Sequence, residues 1–272
     1  MTDLYCVIGN PIGHSRSPDI HAAFAAQTGQ DIAYERCLAP RDGFAATVRD
    51  LIARGYKGAS VTLPFKLEAA ALADSLSERG RAAGAVNTLF FADGKIHADN
   101  TDGAGLVNDI VNNAGVAIAG KRVLLLGAGG ASRGALLPLL RQSPLEIVIA
   151  NRTRATADAL VTQFADVADG RLSVCEFGEP DRAFDIVLNA TSASLAATMP
   201  PIPAVVFRPG TLALDLMYAA TPSPFMQFAA EHGATTRDGL GMLVEQAVEA
   251  FAQWRGVRPD GKDVLALMRS KL

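Results

Sequence analysis

The sequence predicts an α/β protein of two domains, each built from βα units. Three observations carry that expectation. The chain has 272 residues, a length that allows one to two domains. It is 49% hydrophobic and 19% charged with 25 Gly and 14 Pro, a globular composition cut into many short elements. Apolar β-type runs also alternate with helix-period stretches from one end to the other, the pattern of βαβ units and a parallel sheet.

The first series opens with a strand over residues 4–8 and a helix over 18–28, with Ser17 placed to cap it and Pro18 at its first position. A strand over 33–38 follows, then a helix over 41–54 closed by Gly55. A third strand, 57–63, is stopped by Pro64, and a helix is expected over 67–79. The second series begins at Lys121, with strand 122–126, helix 131–141, strand 146–150 and helix 155–164. Strands near 185–189 and 212–216 come next, then helices over 239–254 and 263–270. A boundary is expected near residues 100–105, and the last helices could pack on either domain.

Lys plus Arg number 25 and Asp plus Glu 28, a net charge of −3. That balance argues against a chain built to coat nucleic acid or an anionic membrane, and leaves small anionic ligands open. Cys6, Cys37 and Cys175 form no Cys-x-x-Cys, and His14, His21, His97 and His232 are scattered, so no metal site is assigned. The start MTDLYCVIGN does not read as a signal peptide, and no uncharged apolar run reaches membrane-spanning length. A soluble, cytoplasmic protein with free thiols is expected, as a monomer or homodimer.

The strand at 123–126 runs into Gly127-Ala128-Gly129-Gly130-Ala131-Ser132 and then a helix, the setting of a dinucleotide-binding turn. Gly127 permits the tight turn. Gly129 lets the backbone approach a pyrophosphate, which sits on free N–H groups at the positive end of the helix. Ser132 stands where a third Gly or Ala is usual. The next strand ends at Asn151-Arg152-Thr153-Arg154. NAD-binding domains usually place a carboxylate there. Two arginines instead favour a 2′-phosphate, hence NADP over NAD.

Four polar clusters interrupt the apolar framework: residues 9–18 with Ser15 and Ser17, 60–66 with Ser60, Thr62 and Lys66, 84–88 with Asn87, and 99–103 with Asp102. The strand–helix edge bearing Ser15 and Ser17 suits a carboxylate. Taken alone, Ser17 could be only a cap and Lys66 only a solvated lysine.

In order and spacing these segments make the chain similar to the shikimate dehydrogenase family over essentially its whole length. The matching stretches are 9–18, 58–66, 83–88, 100–103, 127–132, 151–153, 189–192 and 238–246. The resemblance implies a substrate domain formed by residues 1–102 and 239–272. A Rossmann-like NADP domain, 103–238, would be inserted between them, with the active site in the cleft. It implies Lys66 and Asp102 as the catalytic pair. Ser15, Ser17 and Tyr218 would hold the substrate carboxylate, and Thr62, Asn87 and Gln246 the ring hydroxyls, with Ser60 also in the substrate set. Gly127, Gly129, Gly130 and Ala131 would face the pyrophosphate. Asn151, Arg152 and Thr153, with Arg154 beside them, would face the 2′-phosphate, and Thr191, Met217, Gly239 and Met242 the nicotinamide half. The implied reaction is NADPH-dependent reduction of 3-dehydroshikimate to shikimate, on the route to aromatic amino acids. Lys66 can supply positive charge to the forming alkoxide and, with a lowered pKa, its proton; Asp102 can orient it or share that role.

The chain departs from the family pattern at several places. Ser60 replaces the Asn of Gly-x-Asn-Val-Thr-x-Pro-x-Lys, and a hydroxyl reaches less far than an amide. Ala193-Ser194-Leu195 stands where Gly-Met is usual nearby, and Ser223-Pro224 replaces Thr-Pro. Thr156 takes the place of a second phosphate-facing Arg, for which Arg154 can substitute. Ser17 rather than Thr argues against quinate as the main substrate. A paralogue acting on quinate or another cyclic polyhydroxy acid, and a non-catalytic sensor of NADP or shikimate, are the competing readings.

Overall fold

The structure is a computed structural model and describes residues 2–272. In chain order the elements are β1 (Asp3–Gly9), α1 (Ser17–Thr28), β2 (Ile32–Leu38), α2 (Phe44–Ala53), β3 (Gly58–Val61), α3 (Lys66–Leu72), β4 (Ser75–Leu76), α4 (Glu78–Ala83), β5 (Thr88–Ala92) and β6 (Lys95–Asp99). Then come α5 (Asp102–Asn108), continued by a π-helical turn (Asp109–Asn113), β7 (Arg122–Leu126), α6 (Gly130–Arg141), β8 (Glu146–Ala150), α7 (Arg154–Gln163), α8 (Ala165–Ala168) and β9 (Leu172–Cys175). The chain ends with β10 (Ile186–Asn189), β11 (Leu212–Asp215), α9 (Pro224–Glu231), β12 (Thr235–Arg237), α10 (Leu240–Arg255) and α11 (Gly261–Arg269).

Two compact units emerge. The first joins the chain up to Gly105 with Val244–Lys271, and the second is Leu106–Leu243. The boundaries fall inside α5 and α10, where helical periodicity runs on without a break that sequence could mark.

The sheet of the first unit has the order β2-β1-β3-β5-β6-β4. It is mixed, where a parallel sheet was expected. β1 runs parallel to β2 and β3, but β3–β5 and β5–β6 are antiparallel. The cause is local: Asp93 and Gly94 both take positive φ, 52° and 72°, the two-residue turn that folds a hairpin directly. The expected helix over 67–79 is also broken. Asp74 accepts the Ile96 N–H at 2.7 Å, Ser75–Leu76 pairs with β6, and Ser77 accepts the Gly80 N–H at 3.0 Å to start α4. Alternation along the strands splits the core. Cys6, Ile8, Ala59, Val61 and Leu89 pack with Phe44, Val48, Leu51 and Phe65, while Tyr5 packs with Ala250 and Trp254 beside Tyr34 and Phe90. Burying one such large side chain stabilises by about 1.5–3 kcal/mol.

The second unit is a parallel sheet of order β12-β11-β10-β7-β8-β9. Its central strands are apolar throughout, with Val123–Leu126 and Ile186–Leu188 fully buried, as a sheet covered on both faces requires. The strand order reverses between β7 and β10. In such sheets ligands bind beyond the carboxyl ends of the strands at that reversal. Here those ends lead to Gly127 and Thr191. Buried Asp109 takes two bonds from Arg237, at 2.6 and 3.0 Å, and Gly241 is obligatory because a Cβ there would stand 1.9 Å from Asp109 Oδ1. Among the described residues no helix is long and apolar enough to cross a membrane.

Candidate active site

Lys66 is the first residue of α3 and Asp102 the first of α5, so both side chains leave the ends of helices that begin beside strand termini. Lys66 Nζ donates to Asp102 Oδ2 at 2.5 Å, and the two side chains remain 27% and 19% exposed, reachable by a ligand. The other Asp102 oxygen accepts from Asn87 Nδ2 at 2.8 Å. Asn87 is buried, and the same amide nitrogen lies 2.9 Å from Thr101 Oγ1 and 3.1 Å from Gln246 Oε1. Its oxygen accepts the Thr101 N–H at 2.8 Å. The carboxylate of Asp102 is therefore fixed from both sides. Thr101 was missed as a contributor; its signal was the Asn-Thr-Asp segment itself.

The turn before Asp102 is anchored by Asp99. Burial raises that carboxyl's pKa, but the paired bonds from Arg79, at 2.8 and 2.6 Å, outweigh it and hold the carboxyl below the usual range.

Ser15, Ser17 and Ser60 also converge in this unit. The helix cap of α1 is Arg16 with no side-chain bond, so Ser17 is not the expected cap. It is the first helical residue, and its hydroxyl accepts from Ser15 Oγ at 3.2 Å. Arg36 holds the Ser15 carbonyl with two bonds, at 2.6 and 3.1 Å. Ser60 accepts from Tyr34 Oη at 2.8 Å. Thr62 comes close to Gly9, where a Cβ would stand 2.6 Å from Thr62 Cγ2, so the glycine admits the threonine. His14 is exposed at the rim of this loop. Tyr218 belongs to the second unit, where it lines a cavity of about 470 Å³ with Ser194, Met217, Ser223 and Asp238.

In the second unit Gly127 has φ +98°, and a Cβ there would meet Thr191 Cγ2 at 3.2 Å, so the turn and Thr191 are neighbours. No side chain caps the first turn of α6, and a Cβ at Gly129 or Gly130 would meet nothing within 4 Å. Exposed N–H groups at a helix start, with glycines that let an anion approach, fit a pyrophosphate. Ser132 explains its own presence: its buried hydroxyl donates to the Gly127 carbonyl at 2.7 Å and ties the turn. At the end of β8, Asn151 Nδ2 donates to the Thr153 carbonyl at 2.9 Å, and Arg152, Thr153 and Arg154 are exposed. Arg154 lies 4.0 Å from Asp158 and 3.9 Å from Glu179, weakly engaged and able to turn to a phosphate. These residues fit the 2′-phosphate of NADP.

Gly239 N–H donates to the Met217 carbonyl at 3.0 Å, and a Cβ at Gly239 would stand 2.1 Å from the Leu216 carbonyl oxygen. Met217 and Gly239 are thus brought together, with half-buried Met242 in the first turn of α10. Asp215, missed from sequence, organises this region. It is fully buried and accepts from Asn189 at 3.2 Å, Ser194 at 2.6 Å, Ser223 at 2.6 Å and the Met217 N–H at 3.1 Å. An Asp at the end of a strand carries no sequence signal that separates it from a surface residue.

Comparison with known proteins decides the family. Residues 7–89 match the shikimate dehydrogenase substrate binding domain, 108–199 the shikimate / quinate 5-dehydrogenase domain, and 239–269 the shikimate 5′-dehydrogenase C-terminal domain. A shikimate dehydrogenase (NADP(+)) of Janthinobacterium sp. (strain Marseille) is 63% identical over 271 residues, covering 100% of this chain and 98% of that one. The chain belongs to the shikimate dehydrogenase family. Among solved members of the same fold, an Ael1 enzyme from Pseudomonas putida superposes with TM-score 0.92 at 48% identity, covering 98% of both chains. Shikimate 5-dehydrogenase from Thermus thermophilus, in complex with NADP(H) and shikimate, superposes with TM-score 0.88 at 31% identity over 100% of both chains. In shikimate dehydrogenase terms, the mixed sheet is the substrate-domain sheet and the parallel sheet is the Rossmann-like one.

Proposed function

We propose that this protein catalyses the reversible NADP-dependent reduction of 3-dehydroshikimate to shikimate. The observation that carries the reading is the Lys66–Asp102 pair, braced by Asn87, in a chain 63% identical end to end to an NADP-dependent shikimate dehydrogenase. The nucleotide unit is read as an insertion in the substrate domain, since α11 and most of α10 group with the first unit.

Bound NADPH supplies the hydride. Ser15, Ser17 and Tyr218 hold the substrate carboxylate through their hydroxyls. Thr62, Asn87 and Gln246 orient the ring, and Ser60 contacts the substrate beside them. The Lys66 ammonium sets positive charge against the oxygen that gains the electron pair and gives it a proton; Asp102 orients the ammonium and the reacting hydroxyl. In the nucleotide unit, Gly127, Gly129, Gly130 and Ala131 receive the pyrophosphate, and Asn151, Arg152, Thr153 and Arg154 the 2′-phosphate. Thr191, Met217, Gly239 and Met242 line the nicotinamide half.

The test is steady-state kinetics with shikimate and quinate, each with NADP and NAD. Shikimate with NADP is expected to give the highest kcat/KM. Lys66→Ala should lower kcat by about 100-fold or more, the scale of a lost acid–base group. An unchanged kcat in that variant overturns the assignment.

A further inference from the structure

We infer that Tyr34 is a positioning residue for the substrate acid: its phenol orients the Ser60 hydroxyl as a donor to the carboxylate recognised by Ser15 and Ser17. This deepens the proposed function and rests on its assignment of those serines to the substrate.

The placement follows from strand register. Ser60 on β3 pairs with Val7 on β1, and Val7 pairs with Arg36 on β2. Tyr34 lies two residues before Arg36, hence on the same face. Its long side chain reaches across β1 and places Oη 2.8 Å from Ser60 Oγ. Arg36, on that same register line, bonds the Ser15 carbonyl at 2.6 and 3.1 Å and so sets the loop of Ser15 and Ser17 beside this row. Ser17 in turn accepts from Ser15 at 3.2 Å. Tyr34 holds Ser60 while Arg36 holds the loop of Ser15 and Ser17, so the three serines can meet a single functional group.

The direction of the Tyr34 bond gives it a use. A phenol has one proton, and Tyr34 gives it to Ser60. Ser60 has its own proton left over, free to be donated outward. An acceptor placed there, above all an ionised carboxylate, takes the Ser60 proton in a charge-assisted bond, and the Tyr34 bond behind it strengthens. An amide at position 60 would present donor and acceptor alike. Ser60 is thus assigned to the carboxylate rather than to a ring hydroxyl.

The phenol is held for this task. Its ring stacks on His21 with centroids 4.2 Å apart and planes at 8°, and Trp254 lies 6.2 Å away. Burial pushes the Tyr34 pKa up, so the phenol stays protonated and remains a donor.

The experiment is Tyr34→Phe in the full-length enzyme, which keeps the ring and its stack and removes only the hydroxyl. KM for shikimate should rise about tenfold, with kcat and the KM for NADP within about twofold, the size of one weakened charge-assisted bond. The methyl ester of shikimate, which lacks the charge, should be turned over alike by both enzymes. Ser60→Ala should reproduce the effect, and the double variant should be no worse than Ser60→Ala. An unchanged shikimate KM, an equal loss on acid and ester, or additive single effects would overturn the role of Tyr34. Ser15→Ala separates the two levels: if it leaves the shikimate KM unchanged, the assignment of the pocket itself has failed.

Discussion

His21 makes the stability of the first unit pH-dependent. It sits in α1 with no exposure, ringed by Tyr34 at 4.2 Å, Trp254 at 5.3 Å, Phe24 at 5.9 Å and Phe251 at 6.0 Å. Neither ring nitrogen has a hydrogen-bond partner. Burial lowers its pKa from 6.5 to about 3, so the folded protein holds it neutral. The unfolded chain binds a proton near pH 6.5, and the folded chain does not until pH falls to about 3. Stability is complete above the unfolded value and drains away as pH falls between the two. Linkage gives a loss of about 1.4 kcal/mol at pH 5.5 and about 2.7 kcal/mol at pH 4.5. Of the surrounding rings only Tyr34 also titrates, and burial moves it upward, away from this range. The assay is urea unfolding followed by fluorescence of the sole tryptophan, Trp254, which belongs to the same unit. His21→Phe keeps an aromatic ring and cannot take the proton. Its stability relative to the parent should rise by those amounts as pH falls from 7 to 4.5. A stability difference that stays constant across this range would refute the reasoning.

Two further outcomes concern the nucleotide unit. Replacing Arg152 and Arg154 together by Ala should raise KM for NADP at least about tenfold and leave KM for NAD unchanged, because the proposal assigns each guanidinium to the 2′-phosphate alone; equal loss with both nucleotides would count against the role. Asp215→Ala leaves Ser194, Ser223 and the Met217 N–H without their shared acceptor. It should raise KM for NADP and cost about 1–3 kcal/mol for each donor left buried, read by thermal unfolding, with the shikimate KM unmoved.

The parts of the fold that were legible obey simple periodicity. The four central strands of the second unit are largely apolar runs, and Gly127 to Ser132 follows one of them, so they and the nucleotide turn could be read directly, whereas β9 and β12, short and partly polar, could not. The hairpin of β5 and β6 could not be read from alternation, because Phe90 and Phe91 are both apolar and obscure the period of two. Its signal was Asp93-Gly94, a turn dipeptide. The break after α3 hid in the same way, since residues 67–72 are good helix formers and only Asp74, Ser75 and Ser77 mark the stop. Lys66 and Asp102 were recognisable as chemistry but not as partners. They lie 36 residues apart, and only the register that joins β5 to β3 and β6 brings Asn87 and Asp102 together. Tyr34, Thr101 and Asp215 stayed hidden because each acts on another side chain, and a residue defined by its partner has no motif of its own.

The departures from the family pattern bear on whether the chain runs the same reaction. Each serine that departs from the pattern, Ser60, Ser132, Ser194 and Ser223, has a local partner. Ser132 bonds the carbonyl of Gly127, the residue that makes the turn. Ser194 and Ser223 look like unrelated changes, yet both donate to Asp215 at 2.6 Å. Ser60 is held by Tyr34. In every case the serine satisfies a group within its own unit and leaves the bonds among Lys66, Asp102 and Asn87 in place. Substitutions that redirected the chemistry would have to alter the charge or the acceptors around Lys66, whose carboxylate partner is held at 2.5 Å and braced by the amide of Asn87. On the proposed reading, such changes can adjust how the two anions are gripped and leave the proposed proton-handling pair of Lys66 and Asp102 in place. Substrate acid and nucleotide phosphate are where this chain should differ from its relatives, in KM rather than in kcat.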